Sequence, residues 1–441
     1  MFLVVYEGAL RKWVFPGYQG PIYFVKDLIL VVAYVIFLSS RTPPGVHLKV
    51  MAPLRVLLLV SLVYFSLELV NPNSPSILVS VLGLKNYLLY VPLAFLVPYM
   101  FTSSEDLEHK LRKYALLMIP CVGLGLIQFA LPPTHWLNSY LSWDSDAILM
   151  GAVFGGGIAK VRSIGTFSYI SGYTAFLTVM FYLVAGLVAK NGWKISGNTW
   201  LLAYMVLTVA AMFTTGSRAP IWWLIATWPL ALIVWGRTGL LSMKTAGRMI
   251  LGAAAIWILA QFLAADAFDA YAYRVDQATD ATSRLLAPLN QTWGALMTSG
   301  PIGTGMASSN GSALSIMGTS DFWWLNYLFE VESARVLQET GIVGFILVYA
   351  VRVWLLVKAI SLSGRFRNPL YVGLGGVTAC LFLQNLLLGF VINNATVGIY
   401  HWFAAGLLFA MYRLEVAESA RTEEQPVRAR GRLKAYRQMN A

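Results

Sequence analysis

The chain has 441 residues, 58% apolar and only 12% charged, with a mean hydropathy of +0.65. Soluble proteins carry roughly 25% charged residues, so this share leaves too little polar surface for a water-soluble body and excludes a disordered one. The net charge is +12, but the basic residues are dispersed between apolar runs, which argues against nucleic acid, and two cysteines and four scattered histidines argue against a disulfide scaffold or a metal site.

The class that remains is all-α, a polytopic transmembrane helical bundle of about 11–12 spans with a large, partly helical extracytoplasmic loop. Residues 1–15 form a short apolar stretch, read as an interfacial helix or part of another span. A span needs about 20 mostly apolar residues. Such runs fall near 22–38, 53–70, 76–100, 113–131, 169–189, 199–214, 217–235, 247–265, 340–360, 368–390 and 393–413. Residues 1–413 read as a single membrane domain, and 414–441 as a basic cytoplasmic tail without fixed structure.

Orientation follows from the loops. Arg41, Lys49 and Arg55, then Lys110, Arg112 and Lys113, then Lys190 and Lys194 recur on alternate sides of the spans. Arg237, Lys244 and Arg248, then Lys358, Arg365 and Arg367, continue the series into the tail. Basic short loops mark the cytoplasmic face. An odd number of spans with a cytoplasmic tail puts the N-terminus on the opposite face. That face carries two long segments, about 132–168 and 266–339, rich in Gly, Ser, Asp and Trp. Loops of that length are usually functional.

The positive-inside rule is most informative where it is broken. Arg11, Lys12, Lys26, Lys85, Lys160, Arg162, Arg218, Arg274, Arg284 and Arg335 fall on the outer side of this topology. Arginine grips phosphate through paired, charge-assisted hydrogen bonds, so an outward cluster points to an anionic, membrane-resident ligand. Arg218 lies in Thr214-Thr215-Gly216-Ser217-Arg218-Ala219-Pro220, a tight link in which Gly216 permits a turn and Pro220 suits a helix start. Arg218 is therefore expected at a helix N-terminus, which favours anions. Arg162 opens the segment Arg162-Ser163-Ile164-Gly165-Thr166-Phe167-Ser168, just before a span. The Gly/Ser-rich stretch 300–313 is read as flexible backbone with free N–H groups, a weak signal for an anion or a sugar. Glu332, Arg335 and Glu339 have the spacing of pairs along one helix face, while Glu330 lies off that face and is open to act as a general base.

In this order the elements resemble the O-antigen ligase/polymerase superfamily of bacterial envelope glycosyltransferases. The residues are Arg162 to Phe167, Ser217 to Ala219, Arg284 followed by Pro301 to Gly305, and Glu339 to Gly344. The start Glu7 to Trp13 is similar to a subgroup of polysaccharide-polymerase-like proteins. The resemblance implies a multi-pass inner-membrane protein with its active site facing the periplasm. It implies a polymerase of O-antigen or exopolysaccharide repeat units, moving glycan from undecaprenyl diphosphate to an acceptor sugar hydroxyl. A ligase acting on lipid A-core, within lipopolysaccharide synthesis, is the alternative, and a lipid-linked oligosaccharide flippase is the rival from another class.

The implied reaction inverts the anomeric centre and uses no metal and no cofactor. Arg218 and Arg284 match arginines that hold the diphosphate, with Arg162, Arg335, Arg11 and Lys12 as further substrate-binding candidates. Ligases place a histidine about nine residues before the Glu–x–Gly element. Glu330 stands there, and Glu332 two residues later, so these are the candidate bases. The implied partners are the lipid bilayer, the lipid-linked donor, an acceptor glycan, a flippase and a chain-length regulator, with no nucleic acid.

Overall fold

The computed structural model describes residues 1–40, 49–141, 148–149, 153–154, 160–276, 281–311, 313, 328–387 and 389–439. Within these, the side chains of 148–149, 153–154, 274, 276, 281–285 and 421–439 are outside the description, and with them those of Arg274 and Arg284.

In chain order the main helices are α1 (Phe2–Ala9), α2 (Gln19–Ser39), α3 (Ala52–Leu67), α4 (Ile77–Leu88), α5 (Leu93–Leu96) and α6 (Ser104–Ala130). They continue with α7 (Ile170–Ala189), α8 (Thr199–Thr214), α9 (Ala219–Arg237), α10 (Met243–Leu263), α11 (Ala265–Asp276) and α12 (Ala281–Thr298). The last three are α13 (Glu332–Ser363), α14 (Pro369–Leu387) and α15 (Ala395–Met439). Two short antiparallel ribbons, Tyr140–Leu141 with Ile148–Leu149 and Val153–Phe154 with Lys160–Val161, lie between α6 and α7.

Among the described residues ten helices are long and apolar enough to cross a membrane, and α8 is a shorter apolar one. At 1.5 Å per residue the 16 residues of α8 rise about 24 Å, a little short of the roughly 30 Å hydrocarbon core. These eleven helices coincide with the eleven apolar runs, and the chain is an all-α, multi-pass membrane protein. α7, α14 and the first part of α15 form the buried centre, while α2 and α10 expose most of their surface, as lipid-facing helices do. Helix starts follow local rules: Ser103, Ser76 and Ser242 each accept a backbone N–H at the head of α6, α4 and α10.

The basic loops meet at one end. Lys190 Nζ lies 2.5 Å from Glu108, Arg248 donates to the Gly192 carbonyl at 3.0 Å, and Arg413 donates to the Pro98 carbonyl at 2.9 Å. Away from these, residues 160–168 lie between the 214–218 link and the N-terminal segment, and the 300–310 stretch packs on α13. α15 continues as helix through Met439, where the sequence reading expected a tail without fixed structure.

α13 is two helices joined at Gly341, whose φ of 61° leaves the helical region. A Cβ there would sit 2.0 Å from the Pro301 carbonyl oxygen, so both the turn and the close approach need glycine. Gly341→Ala is expected to destabilise the protein by at least about 1–3 kcal/mol. A detergent-solubilised variant with an unchanged melting temperature would contradict this.

Candidate functional site

The centre of the site is the segment Lys160 to Ser168, which turns into the bundle instead of running over its surface. Gln128, a lone amide near the end of α6, holds it there. Its Oε1 accepts from Ile164 N (3.1 Å) and Gly165 N (2.8 Å), and its Nε2 donates to the Gly165 carbonyl at 3.0 Å. Cys121 Sγ lies 3.1 Å from Thr166 Oγ1. Cys121 is nine residues before the end of α6, about 13 Å down the helix, so Thr166 sits well inside the C-terminal end of α6. Non-helical backbone at that depth is tolerated only where protein groups satisfy it, and Gln128 supplies them.

One flank is the link between α8 and α9. Ser163 N donates to the Thr214 carbonyl at 3.0 Å, and Arg162 Nε donates to the Thr215 carbonyl at 2.9 Å. Gly216 has a φ of 60°, Arg218 is the N-cap of α9, and Pro220 lies in its first turn, as the sequence predicts. Arg162 and Arg218 are half-buried and lie on joined segments, at a helix terminus whose free N–H groups favour anions. α11 closes this flank: Asp266 pairs with Lys160 at 3.2 Å, and Tyr271 packs edge-on against Phe213. Burial pushes the Tyr271 phenol up, and the Arg218 charge draws it part of the way back.

The other flank is the N-terminal segment. Thr166 Oγ1 donates to the Val5 carbonyl, and Lys12 Nζ donates to the Phe167 carbonyl at 2.7 Å. Arg11 reaches Ser168 Oγ at 3.4 Å and Glu7 at 3.3 Å. A Cβ on Gly8 would meet the Thr166 carbonyl oxygen at 2.4 Å, so the Glu-Gly-Ala-Leu-Arg-Lys run is shaped to lie on this segment. Residues 1–15 are thus an element docked on this segment, not part of an additional span. Arg11 and Lys12 dock on Ser168 and Phe167, at the far end of the seven-residue stretch that Arg162 opens and ties to Thr215.

The carboxylates are arranged differently from the expected pairs. Glu332 does not pair with Arg335: it is buried and holds Arg352 Nη2 at 2.6 Å, while its other oxygen accepts from Ile392 N (2.6 Å) and Asn393 N (3.2 Å). Arg335 instead donates to the carbonyls of Phe329 (2.8 Å) and Ser309 (3.3 Å). Glu339 accepts from Tyr87 (2.8 Å) and Ser309 Oγ (2.6 Å). All three are engaged as ties within the fold. Glu330 is exposed, and Gln291 of α12 accepts its backbone N–H at 2.8 Å and that of Val331 at 3.1 Å.

The Pro301–Gly305 stretch is a brace rather than a cradle. Thr304 N and Gly305 N donate to the Gln338 and Glu339 carbonyls at 2.8 and 2.9 Å, and Ser309 N points to the Glu339 carboxylate at 3.3 Å. Asn71 and Asn73 take the Ile302 and Gly303 carbonyls at 2.8 and 2.9 Å. The Gly303, Thr304, Gly305 and Ser309 N–H groups of the 300–313 stretch are spent on such ties. Arg284 lies in the first turn of α12, with its side chain outside the described residues. Gln128, Gln291 and Tyr271 were missed by the sequence reading. Gln128 carried a signal, being a polar side chain within a membrane span.

No family model matches the chain, and no curated protein matches it.

Proposed function

We propose that this membrane protein is a glycosyltransferase acting on the outer face of the bacterial inner membrane, facing the periplasm. It moves glycan from undecaprenyl diphosphate to a sugar hydroxyl of a lipid-linked acceptor, and so lengthens an envelope polysaccharide. The observation that carries the reading is the joining of Arg162 to the Arg218 turn at the start of α9, on the end opposite the basic loops. Two arginines at a helix N-terminus suit a diphosphate, and Arg284 is the third candidate for it. The mid-span groups that a transporter would use weigh against that rival. Arg352 is held by Glu332, and His401 lies 3.1 Å from Asn385.

In the proposed step the acceptor hydroxyl oxygen attacks the anomeric carbon of the donor from the face opposite the diphosphate. The bond from that carbon to the diphosphate oxygen breaks, and its electron pair leaves with the lipid diphosphate. Arg218, Arg162 and Arg284 stabilise the charge that gathers there, a contribution that is commonly the largest in catalysis. The hydroxyl proton passes to Glu330. Of the two candidate carboxylates Glu330 is the exposed one, while both oxygens of Glu332 are occupied.

Glu330→Gln is therefore expected to slow transfer about 10²–10⁴-fold with the melting temperature unchanged. Transfer at the native rate by the folded variant would remove Glu330 from the mechanism.

A further inference from the structure

The N-terminal cations belong to a larger buried cluster with an unbalanced charge. Lys26 of α2 pairs with Glu7 at 2.9 Å, and Lys85 of α4 pairs with Asp27 at 2.6 Å, while Tyr90 also donates to Asp27 at 2.9 Å. Three of the cations surround one ring: Lys26 Nζ, Lys85 Nζ and Arg11 Cζ lie 3.7, 4.6 and 5.2 Å from the centre of Tyr23. Arg11, Lys12, Lys26 and Lys85 bring four positive charges, and Glu7 and Asp27 bring two negative ones, which leaves an excess of two.

The excess sits where it is costly. Lys12 is only 3% exposed and has no carboxylate partner among the described residues; it has a carbonyl and the ring of Trp13, 4.5 Å away. Arg11 Nε is buried with no hydrogen-bond partner among the described residues. Burial pulls the Lys12 ammonium down to about 7. Buried charges at the edge of a bilayer are normally paired, so a cluster in which Arg11 and Lys26 share Glu7 and Lys12 has no carboxylate calls for a further anion. An aromatic pair of the kind that sugars stack on adjoins them. Trp13 and Trp136 meet edge-on at 6.0 Å between centroids, and Trp136 is 63% exposed.

We infer that Arg11, Lys12, Lys26 and Lys85 form a second phosphate site, across the 160–168 segment from Arg162 and Arg218, which takes the phosphate group of the sugar-bearing acceptor lipid. The phosphate chemistry follows from the geometry: three cations gathered on Tyr23, Arg11 Nε without a hydrogen-bond partner among the described residues, and Lys12 without a carboxylate, which a bound anion would hold in its charged form. Its assignment to the acceptor rests on the proposed function, because a polymerase must hold two lipid-linked glycans at once.

The test counts lipids on the purified full-length protein by native mass spectrometry, with undecaprenyl phosphate as the probe and inorganic pyrophosphate as the free-anion control. The wild type is expected to hold two lipid molecules and Lys12→Met one. Lys12→Met removes a charge without a carboxylate partner but also the hydrogen bond to the Phe167 carbonyl, and Asp27→Asn frees Lys85, so lipids are counted on variants whose melting temperature matches the wild type. Asp27→Asn removes a competing acid and is expected to tighten lipid binding about tenfold, whereas a merely structural network would show no tightening. Arg218→Ala is expected to lose the other lipid and keep this one. Equal counts for the wild type and Lys12→Met, or unchanged affinity in Asp27→Asn, would overturn the site. Binding of pyrophosphate but not of the lipid would overturn its assignment to a lipid. Loss of one lipid in Lys12→Met with none lost in Arg218→Ala would spare this site and count against the proposed donor site.

Discussion

Arg218→Ala is expected to reduce glycan transfer by at least about 10²–10³-fold while the protein accumulates normally in the membrane. Arg218 caps α9 without a side-chain hydrogen bond to the helix and is half-buried, so its removal opens no core cavity. In the proposed step, what is lost is a fixed positive charge where the leaving diphosphate gathers negative charge. Arg218→Lys keeps the charge but not the planar fork and is expected to recover only part of the rate. Arg284→Ala is expected to behave like Arg218→Ala. Near-native transfer by both alanine variants, at equal protein level, would remove the diphosphate-binding role from these arginines.

The second large effect lies in the buried pair. Arg352→Met leaves the Glu332 carboxylate buried without its counter-charge, which is expected to destabilise the protein by about 3–5 kcal/mol. Glu332→Gln combined with Arg352→Met removes both charges and is expected to regain most of that loss. Transfer activity separates two roles for Glu332. As a tie that positions the neighbouring Glu330, it leaves the double variant folded and active. As the catalytic base, it leaves the double variant folded and inactive. Activity and unfolding of both variants in detergent decide between them, and an inactive but stable double variant would return the base to Glu332.

The spans were legible because composition alone specifies them: eleven apolar runs of about the right length became eleven helices. Arg218 at the start of α9 was legible too, since Gly216 and Pro220 are local signals read within a few residues. The carboxylate partners were not. Along an unbroken helix Glu332 and Arg352, twenty residues apart, would stand about 30 Å from each other. They touch because the chain folds back at Gly341, and nothing in the spacing of a Glu–x–Gly–x–x–Gly motif distinguishes a turn from a packing glycine. The stretch Pro301–Gly305 misled for a related reason. Glycine there serves close approach to the Gln338 and Glu339 carbonyls, and composition reads the same for a brace as for an open anion cradle. The docking of Gly8 and Lys12 on Thr166 and Phe167 joins residues more than 150 positions apart, a separation that no local pattern bridges.

The central claim is transfer from a lipid diphosphate, and reconstitution tests it most directly. Purified protein is incubated with an undecaprenyl-diphosphate-linked repeat unit, without nucleotide sugar, and the lipid-linked products are resolved by gel and mass spectrometry. A ladder of longer lipid-linked glycans is expected from the wild type and none from Arg218→Ala. Transfer seen only when lipid A-core is supplied would make the protein a ligase. No product from either acceptor across several candidate repeat units, or a ladder undiminished in Arg218→Ala, would contradict the account.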